Sequence, residues 1–501
     1  MKMMNAYRIG QIIGQWENFT PPIQGGIFNN ESEDSADSSS DDSEHSVSST
    51  FEDAGDDVSS NTSVELDDTP DTIPEKRLHS TRSTLKPHQL PSKEAYVSQA
   101  VQDDINANIR AYPSLDAATQ RAITKKYQAL HDLVKREGFY DCDYAAYGYE
   151  LMRYSALFVL FVSFLHYGWY ATSAVCLGLF WHQIMFTAHD AGHRGITHNF
   201  VIDTLIGIFI GDFCCGLSIG WWKSSHNVHH LVTNQPVRYF ASSSSAATVL
   251  TAYQEHDPDI QNIPLFATSS AFLRTMHSSY YDFTFIYDAA AAITLPYQAY
   301  TYYPVMALAR FNLYFLSWAH LLSPRSTNMG KAAWTRPVEI LSIASYFAWY
   351  GYLIVWLSIP TWKARILFVL VSHLVTMPLH VQITLSHWGM PTCILPGECF
   401  AQHQLRTTMD VDCPAWLDFI HGGLQFQAVH HLFPRMPRHN LRKLQPHVRQ
   451  FCAETGIKYS IYSFGDGNRK VVGKLSEVAQ QAMMMAKCQL HMQVTGETGL
   501  H

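Results

Sequence analysis

This sequence of 501 residues lacks several common features, and each absence narrows what the chain can be. Its nine cysteines form no CxxC pair and no regular spacing, which argues against a zinc site or a disulfide framework and indicates buried thiols in a reducing compartment. The beginning, MKMMNAYRIGQ, has no apolar core, which excludes a secretory signal. Between Glu31 and Asp71 there is no Lys or Arg but there are fifteen Asp or Glu, so the rest of the chain is mildly basic although the net charge is −8.

The composition divides the chain into a polar first part and an apolar second part. Residues 1–26 form a short mixed segment. Residues 27–95 are rich in Ser, Asp and Glu, cannot bury enough apolar area to fold, and are predicted to be a disordered acidic linker. Residues 96–150 are predicted to be a cytosolic region with an amphipathic helix over Leu115–Arg136, for which Ser114 is the predicted N-cap. Residues 466–501 are predicted to be a C-terminal tail.

Long apolar runs predict an all-α membrane domain over residues 151–465. Four runs have about the length needed to cross the hydrocarbon core: Met152–Trp169, Tyr170–Thr187, Val338–Leu357 and Ile366–Ile383. Phe200–Trp222 contains two aspartates and is predicted to be re-entrant or interfacial. The aromatic-rich region 262–335 is predicted to form one or two interfacial helices. Four spans leave both chain ends on one side, which its basic residues place in the cytosol: Lys223, Arg310, Lys331, Arg435, Arg438, Arg442 and Lys443.

Histidines are the informative excess, with 26 in the chain. They cluster in HDAGH, HNVHH and QAVHH, and one more follows the fourth apolar run in QITLSHWG. Spacings of three and four residues place side chains on one face of a helix. A lone histidine is more often a solvated or hydrogen-bonded imidazole, but matched clusters beside membrane runs are expected to converge at the membrane surface. Many imidazoles with few carboxylates favour a transition metal over Mg²⁺ or Ca²⁺.

These three motifs, in this order around paired apolar runs, resemble the membrane fatty-acid desaturase family. Gln427 stands where the third motif usually has its first histidine, and this resembles the front-end branch of the family. The segments EHDPDIQ, YYPVMALARFNLY, HVQITLSH and GGLQFQAVHHLFPRMPRHNLRK more closely resemble the fungal delta-8 sphingolipid desaturases. The resemblance extends from Ala6 to about Tyr462, apart from the acidic tract.

The resemblance implies four transmembrane helices and a cytosolic helical cap that holds a histidine-rich di-iron site. The implied iron ligands are His189, His193, His226, His229, His230, His387, His430 and His431. Gln427 occupies a ligand position as a neutral amide that binds weakly or holds a water or a neighbouring histidine. Four further histidines are at most supporting residues around the ligands, and a satisfied or solvated imidazole is the better interpretation of each: His198, His256, His380 and His439. His182 is expected to hydrogen-bond to a neighbouring helix rather than to bind metal.

The resemblance also implies O2 as co-substrate, cytochrome b5 and its reductase as electron donors, and a multi-pass protein of the endoplasmic reticulum membrane whose histidine motifs face the cytosol. No nucleic acid is expected as a partner. The sequence departs from the family at two points. No HPGG haem motif is present, so haem is not expected in this chain, and residues 1–26 resemble the remnant that follows a cytochrome b5 haem lobe. The other departure is residues 237–254, which intervene before Glu255.

This Ser/Ala-rich insertion is interpreted as a retained intron. It begins with Val, whose codons start GT, and ends with Gln, one of whose codons is CAG. A tolerated surface loop is the alternative, because long insertions cost little closure entropy.

The implied function is a desaturase that acts at the delta-8 position of a sphingolipid, either a ceramide or a long-chain base. An acyl-lipid delta-6 or delta-5 front-end desaturase is the nearest alternative, and a hydroxylase on the same scaffold is another. A non-catalytic histidine-rich membrane metal transporter is the alternative of a different class. The histidines argue against it, because most lie at the ends of apolar runs rather than within them as a conduction path requires.

Overall fold

The computed structural model describes residues 93–236 and 257–495, apart from 275, 279–282, 286, 288 and 328–331. Two helices precede the apolar part: α1 (Lys93–Ala111) and α2 (Ala117–Arg136). Helix α1 begins three residues inside the region predicted to be disordered. The predicted amphipathic helix α2 is present, but its N-cap is Asp116, whose carboxylate accepts the backbone N–H groups of Ala118 and Thr119 at 3.0 and 2.9 Å. The predicted cap Ser114 instead accepts the backbone N–H of Asp116, because both residues are good N-caps and the helix starts beyond the second.

Helices α3 (Tyr144–His166) and α4 (Tyr170–Gly192) form an antiparallel pair. The reversal between them contains Gly168 with φ +75°, a left-handed conformation that glycine adopts without strain. Next, α5 (Phe200–Gly207) continues as a π-helical segment (Ile208–Cys214) and is followed by α6 (Ile219–Leu231) at a bend of 116°. This bend agrees with the re-entrant or interfacial segment predicted there.

The second apolar part contains a small hairpin and five helices. Strands β1 (Met276–Ser278) and β2 (Phe283–Phe285) pair antiparallel. Helices α7 (Ala289–Thr294) and α8 (Gln298–Leu322) form one continuous run with a short 3₁₀ turn between them. Helix α9 (Thr335–Tyr346) continues as a π-helical segment (Phe347–Ser358), and α10 (Trp362–Leu374) is followed closely by α11 (Met377–Trp388).

Four of the described helices are long and apolar enough to cross a membrane, but they are not the predicted four. They are Tyr144–His166, Ala289–Leu322, Thr335–Ser358 and Trp362–Trp388. The prediction of interfacial helices over 262–335 is therefore wrong for Ala289–Leu322, where Arg310 obscured the apolar character. This arginine is fully buried against the Trp181 ring and donates to the Cys215 carbonyl at 2.7 Å. The predicted span Tyr170–Thr187 is helical in α4 but is not among the four.

The remaining elements form a cap on the apolar helices. They are α12 (Phe400–Thr407), β3 (Asp410–Asp412), α13 (Asp418–His421), α14 (Gln427–Leu432), α15 (Arg438–Thr455), β4 (Ile461–Ser463) and α16 (Phe464–Thr495). Strands β3 and β4 pair parallel, with Asp410 opposite Ile461. Most of the segment predicted to be a tail lies in α16, which buries Val471, Leu475 and Val478 in the same apolar core as residues of α8 and α11. The insertion 237–254 and residues 1–26 lie outside the described residues.

Candidate metal centre

Four short segments carry the eight predicted histidine ligands, and each segment is fixed by local contacts. Helix α4 places His189 and His193 one turn apart at its C-terminal end. Helix α6 carries the second motif, HNVHH. Its N-terminus is capped by two carboxyl groups, since Glu339 accepts the Gly220 N–H at 2.9 Å and Asp212 accepts the Ile219 N–H at 3.1 Å. Acceptors at this end satisfy free N–H groups and favour the helix dipole.

The third motif lies on α14, which is held close to α4 by a glycine pair. Gly422 and Gly423 have φ values of +58° and +89°. A Cβ on Gly422 would lie 2.1 Å from the Phe186 ring, so only glycine allows this approach. Asp410 accepts the Ala428 N–H at 2.8 Å at the start of α14. These contacts bring the third motif against the first.

The ring nitrogens form two compact groups. The first histidine group consists of His189, His193, His226 and His430, and the second histidine group consists of His229, His387 and His431. Within each group the candidate ligand atoms all lie within 4.8 Å of one another. His230 lies between the groups, because its ring centroid is 4.2 Å from that of His431 and 4.7 Å from that of His193. The structure therefore brings all eight predicted ligands together.

Several of these buried imidazoles have a ring nitrogen without any hydrogen-bond partner among the described residues. They are Nε2 of His189, His193, His430 and His431, and Nδ1 of His230 and His387. A buried polar atom left unpaired costs about 1–3 kcal/mol, so such a concentration of unpaired nitrogens calls for a shared ligand. Burial, followed by the neighbouring imidazoles, holds the pKa of His430 and His431 well below the usual range. Both are therefore neutral, as imidazole ligands of a metal must be.

Hydrogen bonds from the surrounding helices orient the two best-ordered ligands of the second group. The buried carboxylate of Asp257 accepts from Nδ1 of His229 at 2.9 Å. The amide oxygen of Gln404 accepts from Nδ1 of His431 at 2.9 Å, and its amide nitrogen donates to the His230 carbonyl at 2.9 Å. Occupying Nδ1 leaves Nε2 of each ring free to bind a metal, the arrangement commonly found around metal-bound histidine.

A buried ion network ties the first motif to α3 and α15. The guanidinium of Arg438 donates to Asp190, beside His189, and to Glu150 on α3. Tyr147 also donates to Asp190. Burial lowers the pKa of Arg438, but Asp190 raises it above the usual value, so the guanidinium stays charged. Breaking a buried pair of this kind leaves an uncompensated charge, so the network fixes the end of α4.

The other predicted positions have different surroundings. Gln427 is buried at the start of α14 and hydrogen-bonds to His387, which places it beside the second histidine group. His198 bonds through Nδ1 and Nε2 to the carbonyls of Arg194 and Tyr140, and His439 bonds to Glu150. His380 lies near the hydroxyl of Thr376 at 3.3 Å. In these hydrogen bonds the three rings bind protein groups rather than each other or the two histidine groups, and His256 lies outside the described residues. His182 bonds to Gln183 of its own helix, not to a neighbouring helix as expected.

Comparison with known proteins agrees with this geometry. The sequence model described as fatty acid desaturase matches residues 167–463. A protein named Delta 8-(E)-sphingolipid desaturase from Emericella nidulans is 45% identical over 97% of this chain and 84% of its own length. A protein of the same name from Komagataella phaffii is 49% identical over 78% of this chain and 69% of its own. An acyl-lipid (9-3)-desaturase from Borago officinalis is 35% identical over 63% of this chain and 65% of its own. With its histidines gathered into two adjacent groups and its sequence matched over most of its length, the chain belongs to the fatty acid desaturase family.

Proposed function

We propose that this protein is a delta-8 sphingolipid desaturase with two iron ions. The observation that carries the proposal is the pair of adjacent histidine groups whose buried ring nitrogens lack partners. The names of the fungal relatives, which match nearly the whole chain, support the sphingolipid substrate.

The donor set fits two iron ions, one for each histidine group with His230 between them. Imidazole nitrogen is a suitable ligand for iron, and the eight rings supply more donors than one ion needs. When bound, the irons would supply the means to use O2 against an unactivated C–H bond. In the overall reaction one CH2–CH2 unit loses two hydrogens, and O2 with two electrons and two protons from the donor becomes two waters.

The chain's own contribution is placement. The ligand-bearing ends of α4, α6, α11 and α14 bury the histidine groups almost completely; His193, His229, His230, His387, His430 and His431 are all less than 9% exposed. Such a site keeps water from the reacting carbons and holds the lipid chain in one position. Asp257 and Gln404 keep two of the rings in the ligating tautomer.

We further propose that cytochrome b5 and its reductase supply the electrons, and that the protein lies in the endoplasmic reticulum membrane with its histidine groups on the cytosolic side. The sequence contains no HPGG motif, so for this chain the haem is provided by a separate protein. We expect activity to be feeble in a strain that lacks free cytochrome b5 and to be restored by its expression, because a fused donor would otherwise reach about millimolar effective concentration. Full activity without cytochrome b5 would contradict this assignment.

The decisive experiment for the proposed function is lipid analysis after expression in a yeast that makes no delta-8 double bond. We expect a new double bond in the long-chain base and no change in fatty acids. His230→Ala is the matched control, because it removes a ring from the centre of the cluster. New acyl double bonds with unchanged long-chain bases would replace the proposal by the acyl-lipid alternative, which the Borago officinalis relative represents.

A further inference from the structure

A second buried polar cluster lies on the same helices as the iron-ligand candidates. His182 precedes His189 by seven residues on α4, and His380 precedes His387 by seven residues on α11. Seven residues are two helical turns, or about 10 Å along the axis. The two histidines therefore lie on the ligand-bearing faces of α4 and α11, two turns away from the two histidine groups.

Three further side chains complete this cluster, which we call the polar ring: His182, Gln183, His380, Gln382 and His421. All five are at most 9% exposed. His421 bonds through Nδ1 to the Gln382 amide oxygen at 2.8 Å, which joins the cap helix α13 to α11. His182 interacts electrostatically with both His380 and His421, so α4, α11 and α13 meet here.

One atom of the polar ring lacks a partner. The amide nitrogen of Gln183 donates to the Phe419 carbonyl at 2.8 Å, but its amide oxygen is buried and has no hydrogen bond among the described residues. A buried carbonyl oxygen without a donor is costly. A ligand that carries a hydroxyl or N–H group would satisfy it.

The space beside the polar ring is closed on the side away from the irons. One turn before His182, a Cβ on Gly178 would lie 2.6 Å from the Ser372 carbonyl oxygen, so α4 and α10 touch backbone to backbone. Trp181 is completely buried and packs against Tyr350, with ring centroids 5.2 Å apart. A long alkyl tail has no room to continue between α4 and α10, whereas a short polar end of a lipid would stop at the polar ring.

We propose that the polar ring binds the polar end of the substrate, and that this end is the neutral hydroxylated amide of an N-acylated long-chain base. The proposal rests on the proposed function. In a long-chain base, carbon 8 is seven bonds from carbon 1, or about 9 Å for extended carbon–carbon bonds of about 1.5 Å. That length matches the two helical turns, about 10 Å, between the polar ring and the ligands.

The chemistry of the polar ring selects among sphingolipids. Amide and neutral imidazole groups both donate and accept hydrogen bonds, as hydroxyl and amide groups do. The ring contains no carboxylate to pair with the ammonium of a free long-chain base and no Lys or Arg to pair with a phosphate. A charged group buried there would be left unpaired, so the neutral ceramide form fits best.

The test compares Gln183→Leu and Gln382→Leu with Thr384→Val, a control on α11 whose hydroxyl instead bonds to Tyr302 at 2.7 Å. Membranes containing each variant and added cytochrome b5 are given ceramide, 3-deoxyceramide and the free base. We expect KM for ceramide to rise about tenfold in each Leu variant, as for the loss of one hydrogen bond, and to be unchanged in the control. Iron content should stay at the wild-type level in all three.

The 3-deoxy substrate should raise KM for the wild type and add little in the Leu variants, because the same contact is already lost. Equal KM values for ceramide and its 3-deoxy form in the wild type would overturn the proposal without any variant. Unchanged KM in Gln183→Leu would also overturn it, even if Gln382→Leu failed to fold. If the wild type converts no sphingolipid at all, the proposed function fails, and this inference fails with it.

Discussion

Gln404 offers the sharpest test of how the metal centre is held, because one side chain joins the second and third histidine motifs. Its amide oxygen accepts from His431, and its amide nitrogen donates to the His230 carbonyl. The hydroxyl of Thr233 also lies 2.9 Å from the amide oxygen. Gln404→Leu keeps the side-chain size roughly constant and removes these polar contacts.

The expected effects follow from what the substitution leaves unpaired. The His431 N–H and the His230 carbonyl would each lose a buried partner, at about 1–3 kcal/mol apiece in folding stability. The His431 ring would also lose the bond that selects its tautomer, and loss of such a contact commonly lowers metal affinity about 10- to 100-fold. We therefore expect iron to be lost at a correspondingly lower chelator concentration.

Gln402 provides the matched control because it lies on the same helix and is equally buried. It bonds to Gln120 at 3.0 Å and to no histidine ligand. Gln402→Leu should lower the thermal unfolding midpoint to a similar extent but leave the chelator titration unchanged. Gln404→Glu, which keeps the acceptor for His431, should retain most of the iron. Wild-type iron retention in Gln404→Leu, or equal loss in Gln402→Leu, would refute the reasoning.

Three further predictions follow from the site and its support. His229→Ala, His230→Ala and His431→Ala should each abolish desaturation, measured as product lipid, while membrane insertion persists; near-normal product from any one would refute its assignment as a ligand. Gln427→His should lower turnover because the site is adjusted to a neutral amide beside His387, and faster turnover would show that it is not. Gly422→Ala should destabilise the protein by several kcal/mol in a thermal unfolding assay, since its φ is +58° and a Cβ would overlap Phe186. Gly473→Ala, where a Cβ meets nothing within 4 Å, should be neutral or slightly stabilising, and equal loss in both would rule out this explanation.

The ligands could be predicted from sequence because their spacing is local, whereas the residues that support them could not. His189 and His193 announce themselves by their separation of four residues on one helix. Gln404 meets His230 and His431 through contacts 174 and 27 residues apart, and Asp257 meets His229 across 28 residues. No periodicity records such contacts, although the aspartates of EHDPDIQ beside a histidine motif were a usable signal.

The membrane helices show a related limit. Arg310 made Ala289–Leu322 look unsuited to cross a membrane, because a sequence shows a charge but not its surroundings. The structure buries that guanidinium among Trp181, Tyr314 and the Cys215 carbonyl. The opposite error occurred in α4, where an uncharged run proved to be part of the buried interior, with Ser173, Leu177 and Trp181 completely enclosed.

The distribution of the histidines along the chain also governs when the metal centre can be assembled. The first histidine group joins α4 to α14, and nearly the whole membrane domain is synthesised between His189 and His430. Closing so long a loop costs entropy, which ligand binding must offset. Until the ribosome has passed His431, three motifs wait without the two rings that complete both groups. Metal loading is therefore a late event in biogenesis that fastens the cap to helices already inserted, and a chain that stops before α14 inserts without ever acquiring its centre.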